Sequence, residues 1–191
     1  MEATQDLLWE QGYSATSPKD IMRRSGAGQG SMYHHFTNKQ ELAVVALECS
    51  AQSMRHDTEK LLATDGSAYE IATAYLRRQR DVLKGCRMGR MTFDADVLNT
   101  PELIEPVKRT FVWLLEALTV LFERGRDQGE FAADIDARNL ASLVVATVQG
   151  GYVLARATRD TDAFDAAVEG AAALLRKATV PLTTEASDHS E

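Results

Sequence analysis

Residues 17–42 read SPKDIMRRSGAGQGSMYHHFTNKQEL. Ser17 is a favourable helix N-cap, Pro18 suits the first helical position, and Asp20 can complete a capping box as the third helical residue. Gly26 supplies the left-handed conformation with which many helices end. The beginning of this segment therefore predicts a helix of about two turns that is closed by a glycine turn.

A second short helix is predicted over residues 29–36. Met32 and Phe36 lie four residues apart and form its apolar face. The opposite face can form hydrogen bonds throughout and has no acidic side chain, since it consists of Gln29, Ser31, Tyr33, His34 and His35. A helix, a glycine turn and a short polar-faced helix are typical of the helix-turn-helix motif, whose second helix lies in the major groove of DNA. Asn38 and Glu41 then form a capping box that begins a further, long helix.

This segment resembles the TetR/AcrR family of one-component transcriptional repressors. The run from Gly30 to Lys39 carries most of the resemblance, because so specific a combination of residues does not assemble by chance. The close resemblance covers about the first quarter of the chain, and the remainder is similar only in its helical layout. The matching residues are Gly12-Tyr13, Ala15-Thr16, Asp20-Ile21, Ser25-Gly26, Gly30 to Phe36 and Asn38 to Leu42.

The resemblance implies an all-α fold of about nine helices. A three-helix helix-turn-helix head is expected at residues 1–46, a ligand-binding and dimerisation body at 47–180, and a polar, disordered tail at 181–191. Alternation of β-branched residues is scarce, so strands have little support. The helical patterns cover 1–11, 18–25, 29–36, 39–62 and 68–83, a short stretch within 86–99, residues 100–129, and the segments after Asp136 and Thr161.

The DNA-binding residues implied by the resemblance fall into two groups, because phosphate contacts position the protein and base contacts specify the sequence. The phosphate contacts are assigned to Ser17, Lys19, Tyr33, His35 and Lys39, the base-edge contacts to Gln29, Ser31 and His34, and the close approach of the helix to Gly30. The alternative is an ordinary solvated helix face that carries two histidines by chance. The completeness of the surrounding motif favours the DNA-binding interpretation.

Composition alone does not indicate DNA binding. The net charge is −7, and residues 1–47 contain four basic and five acidic side chains. Nonspecific coating of nucleic acid normally relies on a basic surface. Other family members carry a basic arm of about ten residues before the first helix, and we expect weaker binding where such an arm is missing. The prediction therefore depends on the motif rather than on the charge.

Several other classes of protein find little support in the sequence. No apolar run reaches the roughly 18–20 residues of a membrane span, and residues 140–155, the best candidate, contain polar residues and two glycines. There is no secretory signal. Cys49 and Cys86 are too few for a disulfide framework and too far apart for a metal knuckle, so buried thiols are expected. A nucleophile elbow, a phosphate loop and a paired general acid and base are all absent. We therefore expect a cytoplasmic protein without catalytic activity, metal or cofactor.

A ligand cavity is expected in the body, because the family encloses its effector between the central helices. The candidate lining residues are Tyr75, Gln79, Met88, Met91, Phe93, Trp113, Gln149 and Tyr152. Each of these is also compatible with ordinary core packing, whereas a cavity would be mostly apolar with a few fixed polar groups. An inward-pointing Arg87 or Arg90 would favour an anionic or phenolic ligand.

The leading hypothesis is a homodimeric repressor that binds a palindromic operator on double-stranded DNA and is released by a small, mostly apolar molecule. The last two helices are expected to form the dimer. The two glycines Gly150 and Gly151 lie within one of these helices, where each lowers helix stability by about 1 kcal/mol relative to alanine. We expect them to allow a close approach of the partner subunit. The effector would act on the long helix that begins at Lys39 through the short helix within 86–99. One alternative is a ligand-binding helical protein that serves as a carrier or enzyme, and another is a ligand-independent repressor whose cavity has collapsed.

Overall fold

A computed structural model describes residues 1–28, residue 30 and residues 34–180 of the 191-residue chain. Nine helices are assigned within these ranges: α1 (Glu2–Gln11), α2 (Pro18–Ser25), α3 (Lys39–Leu62), α4 (Ala68–Arg77), α5 (Arg87–Met91), α6 (Ala95–Asn99), α7 (Pro101–Asp127), α8 (Ala137–Thr158) and α9 (Asp162–Ala178). The same ranges contain no strand, and Phe131 and Thr179 form an isolated β-bridge. The all-α prediction is therefore confirmed for the described part of the chain.

The first cap of the helix-turn-helix segment forms as predicted. The Ser17 hydroxyl accepts the N–H of Asp20 at 3.1 Å, and the Asp20 carboxylate accepts the N–H of Ser17 at 3.2 Å. Gly26 ends α2 with a left-handed φ of 70°. Both ends of α2 are therefore closed by residues of the same segment.

The second predicted capping box is only half formed. The Asn38 side chain accepts the N–H of Glu41 at 2.9 Å and so begins α3. The Glu41 carboxylate, however, accepts the N–H of Thr37 at 2.7 Å and its hydroxyl at 2.5 Å. The carboxylate therefore secures the residue before the cap instead of the cap itself.

The helix predicted over residues 68–83 is shorter than expected, because α4 ends at Arg77. The Arg80 guanidinium donates to the carbonyl oxygens of Tyr75, Leu76 and Arg78. A side chain that satisfies the last carbonyls of a helix replaces the next turn of helix, so the chain leaves α4 in an extended conformation. The sequence pattern continues beyond this point, but the helix does not.

The segment 86–99 contains two short helices where the sequence predicts one. The Cys86 thiol accepts the N–H of Gly89 at 3.2 Å at the start of α5. The Asp94 carboxylate accepts the N–H groups of Asp96 and Val97 at the start of α6. Two separate caps so close in sequence divide the segment.

The largest apolar core lies in the body, where α4, α7, α8 and α9 pack together. It includes the fully buried side chains Tyr75, Leu114, Leu118 and Phe122. A second cluster lies between head and body, and a third, smaller cluster lies within the head. Helix α1 contributes to the second and third of these clusters.

Two adjacent leucines of α1 belong to two different clusters. Leu7 packs with Ile21 and Leu42 in the head, whereas Leu8 packs with Met88 and Leu47 in the cluster between head and body. Both side chains are almost completely buried, at 4% and 3% exposure. One short helix therefore completes the core of the head and attaches the head to the body.

The structure explains one glycine of the pair Gly150-Gly151, and it does so by a contact within the chain and not by the predicted contact with a partner subunit. A Cβ on Gly151 would lie 2.7 Å from the Phe164 ring, so this glycine makes room for a neighbouring helix of the same chain. A Cβ on Gly150 would meet nothing within 4 Å.

Helix α8 is long and apolar enough to cross a membrane, if only length and composition are considered. Core helices of soluble proteins meet the same two criteria, and α8 packs against α7 and α9.

Truncation of Leu8 is expected to destabilise the protein strongly. Leu8→Ala leaves a cavity in the cluster between head and body and should lower the free energy of unfolding by about 2–5 kcal/mol. Leu83, which is 48% exposed, is the matched control, and Leu83→Ala should change this free energy by no more than about 0.5 kcal/mol. Urea unfolding at equal protein concentrations measures both. Equal effects of the two substitutions would contradict the role given to Leu8.

Candidate DNA interface and ligand cavity

Most of the described DNA-binding candidates lie on the surface of the head. Lys19, Gly30, His34 and His35 are exposed, and the two imidazole rings lie 4.9 Å apart in an edge-to-face arrangement. Ser17 is half-buried and is already used as the N-cap of α2. The predicted contacts of Gln29, Ser31 and Tyr33 fall outside the described residues.

Lys39, at the start of α3, is bound to the loop that joins α1 to α2. Its Nζ donates to the carbonyl oxygen of Tyr13 at 2.9 Å and lies 3.9 Å from the centre of the Tyr13 ring. Burial lowers the pKa of Lys39 below its ordinary value, although Asp96 and Asp94 act in the opposite direction. An ammonium group has three N–H donors, and the described residues accept a hydrogen bond from one of them.

Ser14, in the same loop, connects the head to the body through a hydrogen-bond network. Its N–H and hydroxyl donate to the Asp94 carboxylate at 2.8 and 2.5 Å, and the hydroxyl also lies 2.8 Å from an Asp96 carboxylate oxygen. Burial alone would raise the pKa of Asp94, but the hydrogen bonds from Ser14 and from backbone N–H groups outweigh it and lower this pKa. We call Ser14, Asp94 and Asp96 the serine latch.

A second set of contacts joins α1 to the residues around the start of α5. The Trp9 indole N–H donates to the carbonyl oxygen of Gly85 at 3.0 Å. Arg87 forms an ion pair with Asp6 at 3.0 Å, and its guanidinium lies 4.1 Å from the centre of the Trp9 ring. The head is thus attached to the body on both sides of α5.

A cavity of about 800 Å³ lies between α1, α3, the end of α4, the 78–87 segment and α8. It brings together five of the predicted lining residues, namely Tyr75, Gln79, Met88, Gln149 and Tyr152. Four residues of α1 also line it: Glu2, Gln5, Asp6 and Trp9. These four residues are not predicted from the sequence, because the family resemblance places α1 in the head alone. The one available signal was Trp9, a large apolar side chain beside charged residues.

The other three predicted lining residues lie elsewhere. Met91 is fully buried in the cluster between head and body, and Phe93, in the turn after α5, is 77% exposed. Trp113 lines a separate surface cavity of about 480 Å³ between α3 and α7, where Arg55 lies 4.6 Å from its ring centre. The structure therefore does not bring these three residues to the cavity, and residue type alone does not reveal which neighbouring element a side chain faces.

The arginines of the cavity also differ from the expected pair. Arg87 lines the cavity and is paired with Asp6, whereas Arg90 belongs to a small surface pocket beside Phe93. Arg78 and Arg80 line the cavity instead. No group of three or more His, Cys, Asp or Glu side chains in the described ranges could hold a metal ion.

Comparison with known proteins identifies this architecture. Residues 1–46 match the family model for bacterial regulatory proteins of the tetR family, and residues 66–171 match that for the tetracyclin repressor-like C-terminal domain. The chain belongs to the TetR family. This TetR-family protein is therefore a DNA-binding transcriptional regulator and not an enzyme.

Relatives cover nearly the whole TetR-family chain. The uncharacterised HTH-type transcriptional regulator YxaF of Bacillus subtilis is 24% identical over 178 residues, which are 90% of each chain. The HTH-type transcriptional repressor ComR of Escherichia coli is 25% identical and covers 82% of this chain and 77% of its own. A TetR transcriptional regulator from Chloroflexus aurantiacus superimposes with a TM-score of 0.83 at 27% identity, covering 93% of both chains.

The serine latch predicts a pH dependence of stability. Because the folded-state pKa of Asp94 lies below its ordinary value of 3.8, its contribution is fully present above that value. It is lost as the pH falls through the folded-state pKa. Ser14→Ala should reduce this acid-induced loss and lower the free energy of unfolding near pH 7 by about 1 kcal/mol, since the latch is partly exposed.

Chemical unfolding between pH 7 and pH 2 measures this effect. Ser53→Ala is the control, because Ser53 is exposed on α3 and forms no part of the latch. Identical pH profiles for the wild type and Ser14→Ala would show that the latch does not stabilise the fold.

Proposed function

We propose that this TetR-family regulator is a homodimeric repressor that binds a palindromic operator and is released by a small molecule in the cavity. The observation that supports the proposal most directly is that α1, a helix of the DNA-binding head, forms part of the cavity wall. A ligand that fills the cavity contacts the head as well as the body. Operator binding also implies a cytoplasmic protein.

Release follows from a shift between two states. A ligand changes the equilibrium only if it binds the state that does not bind DNA better than the state that does. Trp9 and Asp6 line the cavity and also bind Gly85 and Arg87. A ligand that competes for these groups alters the position of α1 and, through Leu7, of the head.

The two alternatives from the sequence have less support. A collapsed cavity would suit a ligand-independent repressor, but about 800 Å³ lies within the range of small-molecule sites. A carrier or an enzyme would not need a DNA-binding head that shares a helix with the cavity. The repressor named ComR favours negative regulation.

Dimerisation is proposed through the outer faces of α8 and α9. Val153, Leu154 and Leu174 are 50%, 52% and 56% exposed there. A Cβ on Gly150 or Gly170 would meet nothing within 4 Å, so the backbone of both helices is open to close approach. A two-fold axis through this face places two heads side by side, as a palindromic site requires.

Substitutions in the head should separate phosphate contacts from base contacts. Lys39→Ala and Tyr33→Phe are expected to weaken binding to all duplexes. Lys39→Ala should also make the slope of log affinity against log salt concentration shallower, by the amount that corresponds to about one phosphate contact. Gln29→Ala should instead change the preferred bases. Fluorescence anisotropy with operator and scrambled duplexes measures the affinities, and selection from random duplexes measures the preference.

Lys60→Ala, in the last turn of α3, is the matched control for Lys39→Ala and should leave the affinity unchanged. If the two variants bind DNA equally well and the Gln29→Ala preference equals that of the wild type, the docking of the head as proposed is wrong.

Bulky substitutions on the outer face should produce monomers. Gly150→Leu and Gly170→Leu block the close approach of the partner helices, whereas Ala74→Leu, on an exposed position of α4, should leave the dimer intact. Sedimentation velocity at micromolar concentrations distinguishes the two species. Dimers in all three variants would place the interface elsewhere.

A further inference from the structure

We propose that the cavity selects an organic anion with an apolar body, and that Arg78 binds its charged group. This inference rests on the proposed function, since it specifies the chemical class of the effector. Arg78 and Arg80, two of the three arginines in the 78–87 segment, line the cavity and were not among the residues predicted to line it.

Arg78 is a half-buried cation with few partners. One of its N–H groups donates to the Thr58 hydroxyl at 3.1 Å, and its guanidinium lies 4.7 Å from the centre of the Tyr75 ring. No carboxylate among the described residues lies within ion-pair distance of it. A guanidinium has five N–H donors in a planar fork that suits a carboxylate or a similar anion. Arg78 therefore keeps donors and charge available for a ligand.

Arg80 adds positive charge nearby but has a structural role of its own. Its donors bind the carbonyls at the end of α4, where a cation is also favoured by the helix dipole. Its buried Nε has no partner within the described part of the chain. Burial lowers the pKa of Arg80, and the charge of Arg78 contributes to this shift. A bound anion would offset the repulsion between the two guanidinium groups.

Tyr152 supplies a neutral donor to the same cavity. Burial raises the pKa of its hydroxyl to about 12, although Arg80 and Arg78 act in the opposite direction. The hydroxyl therefore stays protonated at neutral pH and can donate a hydrogen bond to an anion.

The acidic residues that line the cavity do not neutralise Arg78. Asp6 is paired with Arg87, and Glu2, Asp57 and Asp81 are exposed. Charges exposed to water are strongly screened, whereas half-buried charges are screened less. The rest of the lining combines an apolar part, which includes Met54, Leu61, Met88, Leu114 and Val148, with the uncharged polar side chains of Gln5, Ser50, Ser53, Gln79 and Gln149. A charged end and an apolar wall together fit an amphipathic anion.

A pair of fluorescent probes tests the charge selection. 1-Anilinonaphthalene-8-sulfonate is an anion, and N-phenyl-1-naphthylamine has the same aromatic framework without the sulfonate. Arg78→Gln in the full-length protein is expected to weaken binding of the anionic probe about tenfold and to leave the neutral probe within about twofold. Arg55→Gln, beside Trp113 in the other cavity, should change neither affinity.

Energy transfer locates the probe. In a Trp113→Phe background, Trp9 is the single tryptophan, and it lines the cavity. Transfer from Trp9 to the bound anionic probe is expected. Arg78→Lys retains the charge and should recover most of the lost affinity, and thermal unfolding of both Arg78 variants checks that they fold.

Four outcomes would overturn the inference: no binding of the anionic probe to the wild type, no transfer from Trp9, an equal loss for both probes in Arg78→Gln, or no loss at all. If Arg78→Gln does not fold, Arg78→Lys is compared with the wild type instead. A retained preference of Arg78→Lys for the anionic probe supports the inference, and a lost preference overturns it.

DNA binding is measured on the same preparations without probe. Loss of DNA binding alone would contradict the proposed repressor and not the charge selection.

Discussion

Leu7 and Leu8 are adjacent on α1 but are buried in two different apolar clusters, and this burial determines how the head is held on the body. Leu7 completes the small core of the head, and Leu8 fills the cluster between head and body. Neither side chain can leave its cluster without exposing an apolar surface. The head is therefore attached to the body by a helix of its own and by the long helix α3.

The contacts that α1 makes with the body differ in strength. Truncating a buried leucine such as Leu8 costs about 2–5 kcal/mol. The hydrogen bond from Trp9 to Gly85 contributes about 0.5–1.5 kcal/mol, and the partly exposed Asp6–Arg87 pair less than about 1 kcal/mol. Allosteric coupling free energies are typically about 1–3 kcal/mol. In the proposed mechanism, a ligand rearranges the weaker contacts beside the cavity while Leu8 keeps the head attached.

Sequence reasoning succeeded where the determining interactions are local. Ser17 and Asp20 cap α2 through contacts three residues apart, so the pattern was sufficient. It failed where a distant side chain decides the outcome. Arg80 binds the last carbonyls of α4, which ends earlier than predicted. Gly151 makes room for the ring of Phe164 in the same chain, whereas the sequence suggested a close approach of the partner subunit.

The cavity shows the same division between local and tertiary information. Tyr75, Gln149 and Tyr152 were selected from residue type and helical spacing, and the packing of the body brings them together. Trp113 has the same residue-level properties but faces α3 across a different cavity. The part played by α1 required knowledge of how the head sits on the body, which spacing within one helix does not contain.

Selection of bound sequences from a random duplex pool, at several salt concentrations, tests most directly whether this protein is a dimeric regulator of specific DNA sites. For a dimeric regulator, the bound fraction should converge on an inverted repeat, and binding to this repeat should weaken steeply with salt. A monomeric protein that enriches no sequence even at low salt would contradict it.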